Sequence, residues 1–155
     1  MMFCYQCQET AKNTGCTVRG VCGKTEDTAN LQDLLIYSLK GLAACARQAG
    51  GKADLMDLGR FTIRAMFSTI TNANFDNDRI RALVRESLKK REELKKSAGL
   101  NVTAPEAALW FSDDESEFAQ KALSVGILAT ENEDVRSLRS LLLFGMKGIS
   151  AYADH

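Results

Sequence analysis

The 155-residue sequence has a single proline, and its 20 basic residues are balanced by 20 acidic residues. The scarcity of proline favours helices, because all-β chains usually need more turn-breaking residues. The zero net charge provides no overall field that would attract nucleic acid or an anionic membrane. The longest apolar runs, such as 141–146, are far shorter than the roughly 20 residues that cross a bilayer. We therefore expect a helical protein that has neither nucleic acid nor a membrane as a partner.

Histidine is almost absent, since the one example, His155, is the last residue. A histidine-based catalytic pair is therefore not expected, and no Ser-His-Asp set, P-loop or dinucleotide fingerprint is present. We predict no catalytic residues in this chain. The first residues contain neither a basic n-region nor a long apolar stretch, so no signal peptide is predicted and a cytoplasmic location is expected.

Cysteine is unevenly distributed, because four of the five cysteines lie within the first 22 residues: Cys4, Cys7, Cys16 and Cys22. A chain of this length with 45% hydrophobic residues can build a core without disulfides. Clustered thiols in a reducing compartment are more often metal ligands than disulfide partners. The remaining cysteine, Cys45, lies in an alanine-rich helical stretch and is interpreted as a small buried apolar residue.

The cysteine spacing is C-x2-C-x8-C-x5-C, which leaves three kinds of site open. A 4Fe–4S cluster is favoured, because Gly15, Gly20 and Gly23 can bring backbone N–H groups close to the sulfurs. Phe3 and Tyr5 could shield such a cluster from water. Structural zinc also takes four thiolates but usually in two short-spaced pairs, and the second pair here is separated by five residues. Disulfides or unliganded thiols are the third alternative.

The sequence predicts a cysteine-rich cluster-binding loop over residues 1–24 and a helical domain over residues 25–155. Apolar periodicity and capping residues predict five helices and one linker: helices over 25–49, 53–70, 77–98, 115–125 and from 130 onward, and a linker over 101–114. The second helix is apolar on more than one side and is expected to be central. Thr130 and Glu133 form a capping-box pattern at the start of the last helix. The mixed-charge run 89–96 is interpreted as a solvated helix face.

An internal repeat relates the first and last helices. LQDLLIYSLKGLAACA at 31–46 and LRSLLLFGMKGISAYA at 138–153 are identical at seven of sixteen positions. Shared leucine-rich composition would explain part of this match, but Gly41 and Gly148 each follow a lysine inside a helix, where glycine costs ~1 kcal/mol relative to alanine. We therefore predict close helix contacts at both glycines. The predicted fold is all-α, with two packed three-helix-type bundles and the first and last helices in the same bundle.

Four sequence blocks together resemble one known family. The N-terminal run FCYQCQETAKNTGCTVRGVCGK, LQDLL at 31–35, TITNAN at 69–74 and SVGILATENEDVRSLR at 124–139 are similar to the N-terminal region of the hybrid cluster proteins, the hydroxylamine reductases. This resemblance extends over essentially the whole chain, and it favours the iron–sulfur alternative over zinc.

The resemblance implies a fold and a role. The family's first domain is all-helical with two three-helix bundles, and its N-terminal cysteines hold a cubane 4Fe–4S cluster. These ligands correspond here to Cys4, Cys7, Cys16 and Cys22. In the family this cluster passes electrons to a hybrid cluster, which reduces hydroxylamine and nitric oxide. The implied function is an electron-transfer module; the alternative is a non-redox structural or interaction domain with zinc or an empty site.

The chain departs from the family in length. The ligands of the hybrid cluster belong to later domains and have no counterpart here, so we expect an N-terminal piece of a longer protein that is inactive alone, although the family is an oxidoreductase family. The implied partners are the missing C-terminal hybrid-cluster domains and a redox partner protein. Homo-oligomers are also expected through an apolar face of the last helix: Leu138, Leu141, Leu142, Met146 and Ile149.

Overall fold

The computed structural model describes residues 2–70 and 72–155, so the predicted N-terminal loop is assessed over residues 2–24 and position 71 lies outside the described chain. The described residues form five α-helices: α1 (Glu26–Ala49), α2 (Leu55–Ser68), α3 (Asn77–Ala98), α4 (Glu115–Val125) and α5 (Glu133–Ala153). Within the same residues the only β-type pairing is an isolated bridge between Cys4 and Cys16. The all-α fold and the N-terminal cysteine-rich loop are confirmed.

Each α-helix begins after a residue whose side-chain oxygen accepts a backbone N–H of the first turn: Thr25, Asp54, Asp76, Asp114 and Asn132. The predicted capping box at the start of α5 is wrong in its details. Asn132 is the cap and accepts from the N–H of Val135, whereas the Thr130 hydroxyl accepts from Arg139. The helix therefore begins two residues later than a Thr130 cap would place it.

The core of the molecule is built around α1, which packs on α3, on α4 and on the short turn Glu106–Ala108. Phe61, Ala65 and Met66 of α2 and Phe118 of α4 belong to this core. Most of its side chains come from α1 and α3: Leu31, Leu34, Leu35, Leu39, Leu42, Ile80, Leu83, Val84 and Leu88. These are the apolar residues that helical spacing predicts for α1 and α3. Burial of this apolar stripe stabilises the packing of α1 on α3.

The expectation that α2 is the central helix is wrong. Its one buried side consists of Phe61, Ala65 and Met66, whereas Leu55 and Met56 at its start are largely exposed. The main partner of α2 is α5, while α1 packs on α3 and α4. The first and last helices therefore have different partners, and the predicted grouping of both in one bundle is also wrong.

The two repeated glycines have opposite surroundings. A Cβ atom on Gly41 would lie 1.9 Å from the backbone oxygen of Ala107, so the predicted close contact is confirmed there. A Cβ on Gly148 would have no neighbour within 4 Å, and the prediction is wrong at that position. The repeat thus reflects similar helices in different packing environments.

The Ala107 carbonyl is also held from the other side by Arg91 of α3, whose side chain is fully buried. The Nη1 atom donates to the Ala107 oxygen at 2.7 Å, and Nη2 donates to the Trp110 oxygen at 2.6 Å. Arg91 belongs to the run 89–96, for which the charge pattern predicts a solvated face, and that prediction is wrong for this residue. The segment before α4 is therefore fixed between α1 and α3.

The apolar face of α5 is accessible to solvent, as predicted. Leu138, Leu141, Leu142, Met146 and Ile149 retain between 45% and 69% of their accessible surface. Over residues 2–70 and 72–155, no helix has the combination of length and hydropathy that a membrane crossing needs.

Candidate metal centre

The loop before α1 brings its first and third cysteines together through the backbone. The N–H of each of Cys4 and Cys16 donates to the carbonyl of the other at 2.9 Å. Gly15, directly before Cys16, has a φ of 115°, and a Cβ there would lie 2.7 Å from the Phe3 ring. Only glycine can occupy this position without strain, so Gly15 sets the approach of Cys16 to Cys4.

A tight turn positions the fourth cysteine. The N–H of Gly20 donates to the Lys24 carbonyl at 2.8 Å, and the N–H of Gly23 donates to the Gly20 carbonyl at 2.8 Å. A Cβ on Gly20 would lie 3.1 Å from the Cys22 sulfur. The absence of a side chain at Gly20 therefore leaves room for the Cys22 thiol beside the turn.

All four N-terminal cysteines line one cavity of about 280 Å³. They are free thiols, as is Cys45. Cys45 lies apart from the cavity, in a buried apolar cluster with Ala49, Leu94, Ala98 and Ala108, which confirms its prediction as a small core residue. The structure therefore brings together the four cysteines that the spacing singled out and separates the fifth.

The cavity has room for a centre larger than a single ion. Within the described residues, no three His, Cys, Asp or Glu side chains are arranged to hold one metal ion. The cavity volume is many times the roughly 30 Å³ that one water molecule occupies in the liquid. Four thiols around a space of this size match the donor set of a 4Fe–4S cluster.

Two polar groups at the cavity are suited to a sulfur-rich occupant. The N–H of Ala11 already donates to the Cys16 sulfur at 3.4 Å. Thr10 lines the cavity, and its buried hydroxyl has no hydrogen-bond partner in the part of the chain that the structure describes. A buried hydroxyl without a partner is costly, so this group points to an acceptor in the cavity.

Burial opposes ionisation of the Cys4 thiol in the free protein. Burial raises the pKa of the Cys4 thiol above its ordinary value, and the positive charge of Lys24 opposes this rise. A bound metal centre would favour the ionised form of the thiol, because coordination requires the thiolate. Burial, together with the positive charge of Lys24, lowers the pKa of Lys147 on α5 to about 8, while the Asp33 carboxylate opposes that change.

The cavity reaches the protein surface. Cys7 and Cys22 are partly exposed, and Val21, which lines the same cavity, is largely exposed. The expected aromatic shield does not form part of this lining. The Phe3 ring lies against Gly15, and the Tyr5 ring stacks on Phe144 of α5 with 6.1 Å between centroids.

Three polar residues at the site were not predicted from the sequence: Gln6, Lys24 and Lys147. Lys24 directly precedes the helix cap and could be suspected from its closeness to Cys22. No sequence signal marks Lys147 as buried. Lys40 stands at the matching position of the repeat and is exposed.

Comparison with known proteins gives one matching family model and relatives that share one name. The model of the Prismane/CO dehydrogenase family matches residues 2–155. Hydroxylamine reductase of Desulfitobacterium hafniense (strain Y51) is 57% identical over 160 residues, which cover 99% of this chain and 29% of that protein. Hydroxylamine reductase of Nitratidesulfovibrio vulgaris (strain Hildenborough) is 51% identical over 171 residues, covering 99% and 30% respectively. The chain thus spans only about 30% of the length of these curated relatives.

Proposed function

Because this chain belongs to the Prismane/CO dehydrogenase family, we propose that it binds a 4Fe–4S cluster and serves as the electron-transfer module of a hydroxylamine reductase of the hybrid cluster type. The observation that carries this proposal is the single cavity lined by Cys4, Cys7, Cys16 and Cys22. Four thiolates are the ligand set of such clusters, and the cavity volume leaves room for a core larger than one ion.

When bound, the cluster supplies a one-electron redox centre. The chain's own residues perform the supporting tasks. The backbone pairing of Cys4 with Cys16 fixes two ligands, and the Ala11 N–H donates to one of the sulfurs. Hydrogen bonds to ligand sulfurs and solvent exposure are principal determinants of cluster potential. The partly exposed Cys7 and Cys22 place the site near the surface, where a redox partner protein can approach.

Reduction of hydroxylamine is assigned in this proposal to the remaining part of the longer relatives. The chain covers about 30% of their length, and the hybrid-cluster domains that the resemblance implies would lie in the rest. The proposed partners are therefore those C-terminal domains and an electron donor. The proposed location is cytoplasmic, where cysteine thiols stay reduced and available for cluster assembly.

Anaerobic purification and metal analysis test the function. We expect iron and inorganic sulfide at about four each per chain after reconstitution, together with a visible absorption band that bleaches with dithionite. Zinc content measured on the same sample provides the comparison. A colourless protein that keeps one zinc per chain after incubation with iron and sulfide would contradict the proposal and support a structural site.

The exposed apolar face of α5 leads to a separate prediction about assembly. Monomeric proteins rarely expose large continuous apolar patches, so we propose that the isolated chain self-associates through this face with a second copy. Light scattering is expected to show dimers or larger species for the wild type. Leu141→Glu should shift the protein to monomer, because it places a charge in the centre of the face.

Leu123→Glu is the matched control, since Leu123 is equally exposed but lies on α4. It should leave the oligomeric state unchanged. A wild-type chain that remains monomeric at high concentration would refute self-association through α5.

A further inference from the structure

Two buried lysines donate hydrogen bonds to Gln6, one of the two residues between Cys4 and Cys7. Gln6, Lys24 and Lys147 retain only 4%, 3% and 6% of their accessible surface. The Lys24 ammonium donates to the Gln6 side-chain oxygen at 3.2 Å, and the Lys147 ammonium donates to the Gln6 backbone oxygen at 3.3 Å. Both positive charges are therefore held against the Cys4–Cys7 segment.

Hydrogen bonds to α1, to α5 and to the residue that follows α2 fix this arrangement. Lys147 of α5 also donates to the backbone oxygen of Thr69, directly after α2, at 3.2 Å. The Gln6 amide nitrogen donates to Asp33 of α1 at 2.6 Å and to the Ala29 carbonyl at 3.1 Å. The ammonium groups consequently cannot move into water without breaking several buried contacts.

The local charges do not balance within the protein alone. Two ammonium groups surround Gln6, whereas one carboxylate, Asp33, is hydrogen-bonded there, and burial raises the pKa of Asp33 to about 6. Among the described residues, neither Lys24 nor Lys147 forms a salt bridge. Burying a cation without a paired anion is strongly unfavourable. The arrangement therefore calls for additional negative charge nearby.

The cysteine cavity is where that charge would reside. Lys24 lines the cavity together with all four thiols. Four thiolates outweigh the positive charge of an iron–sulfur core, so the bound cluster is a net anion that becomes more negative on reduction. A fixed positive charge beside it stabilises the reduced form more than the oxidised form.

We propose that Lys24 and Lys147 are the buried counter-charges of the cluster and raise its reduction potential. This inference rests on the proposed iron–sulfur function. It assigns to α5, far from the cysteines in sequence, a direct part in the redox site. Lys147 acts through charge and position, and it is not a ligand.

Lys147→Met, Lys147→Arg and Lys24→Met test the inference in the full chain reconstituted under anaerobic conditions. Lys89→Met is the control, because Lys89 is a largely exposed residue of α3. For each variant, iron and sulfide are counted, helicity is measured by circular dichroism, and the midpoint potential is determined by redox titration with dithionite. A shifted midpoint potential in a folded, loaded variant indicates an electrostatic role of the lysine. Loss of helicity indicates a structural role.

We expect Lys147→Met and Lys24→Met to shift the potential to more negative values and to lower the reduced-to-oxidised ratio severalfold at a fixed potential. Lys147→Arg keeps the charge and should remain close to the wild type, as should Lys89→Met. If Lys147→Met does not fold, the midpoint potential of Lys24→Met tests the inference instead. Unchanged potentials in loaded methionine variants would overturn the inference but leave the cluster proposal intact.

Loss of the fold in both methionine variants would also overturn the inference, since it would show a structural role. Failure of the wild type to bind iron and sulfide would instead refute the proposed function itself, so the two failures are distinguishable.

Discussion

Cys16→Ala is expected to abolish cluster binding. Cys16 is buried, its backbone pairs with Cys4, and its sulfur accepts the Ala11 N–H. The substitution removes one of four proposed ligands but leaves the backbone bridge able to form, because the bridge uses only main-chain atoms. Iron and sulfide content should fall to near zero, and the visible absorption band should disappear.

Cys45→Ala is the control for this experiment. Cys45 is completely buried in an apolar cluster away from the cavity. Its replacement should retain the full iron and sulfide content and cost about 1 kcal/mol of unfolding free energy through lost apolar contact. Full cluster content in Cys16→Ala, or its loss in Cys45→Ala, would contradict the assignment of ligands.

Gly41→Ala is expected to destabilise the fold by about 3 kcal/mol or more. The added Cβ would lie 1.9 Å from the Ala107 oxygen, so the backbone of the 106–108 turn must move. That oxygen also accepts from the buried Arg91 at 2.7 Å, and the movement would weaken this charged hydrogen bond. Urea denaturation followed by circular dichroism measures the loss.

Gly148→Ala provides an unusually close control, because it makes the same change at the matching position of the repeat. Apart from the adjacent backbone of its own helix, nothing lies within 4 Å of the added Cβ, so alanine should stabilise α5 by roughly 0.5–1 kcal/mol through its higher helix propensity. Equal effects of the two substitutions would show that the contact at Gly41 does not constrain the fold.

The helices were predictable because their signals are local. The third predicted helix matches α3 at both ends: Asp76 accepts the first N–H groups, and Gly99 ends the helix in the left-handed conformation. The apolar stripe of α3 is buried as its spacing predicts. Capping and periodicity depend on neighbouring residues only, so one sequence is enough to recognise them.

Helix partners were not predictable, because apolar residues do not specify what covers them. The apolar Leu55 and Met56 of α2 indicated a central helix, yet both are exposed. Arg91 looked like one member of a solvated charged run, but two backbone carbonyls distant in the chain accept its donors. Such contacts depend on the tertiary fold and leave no local pattern.

The candidate site was predictable in its thiols but not in its surroundings. Cysteine is scarce and chemically distinctive, so the spacing alone singled out the four residues that line the cavity. The aromatic rings of Phe3 and Tyr5 could not be placed by adjacency in sequence, and they pack elsewhere. Lys147 and Lys40 stand at matching repeat positions, so their opposite burial could not be inferred from the alignment.

The hydrogen bond from Lys147 to Gln6 joins residues 141 positions apart. Translation produces the cysteine loop well before this lysine, so the loop lacks that contact until the α5 segment has left the ribosome. Contacts of such long range also carry a high loop-closure cost and form late during folding. The contacts of the cysteine segment are therefore complete only after α5 has packed, and delivery of the proposed cluster is expected to follow synthesis of α5.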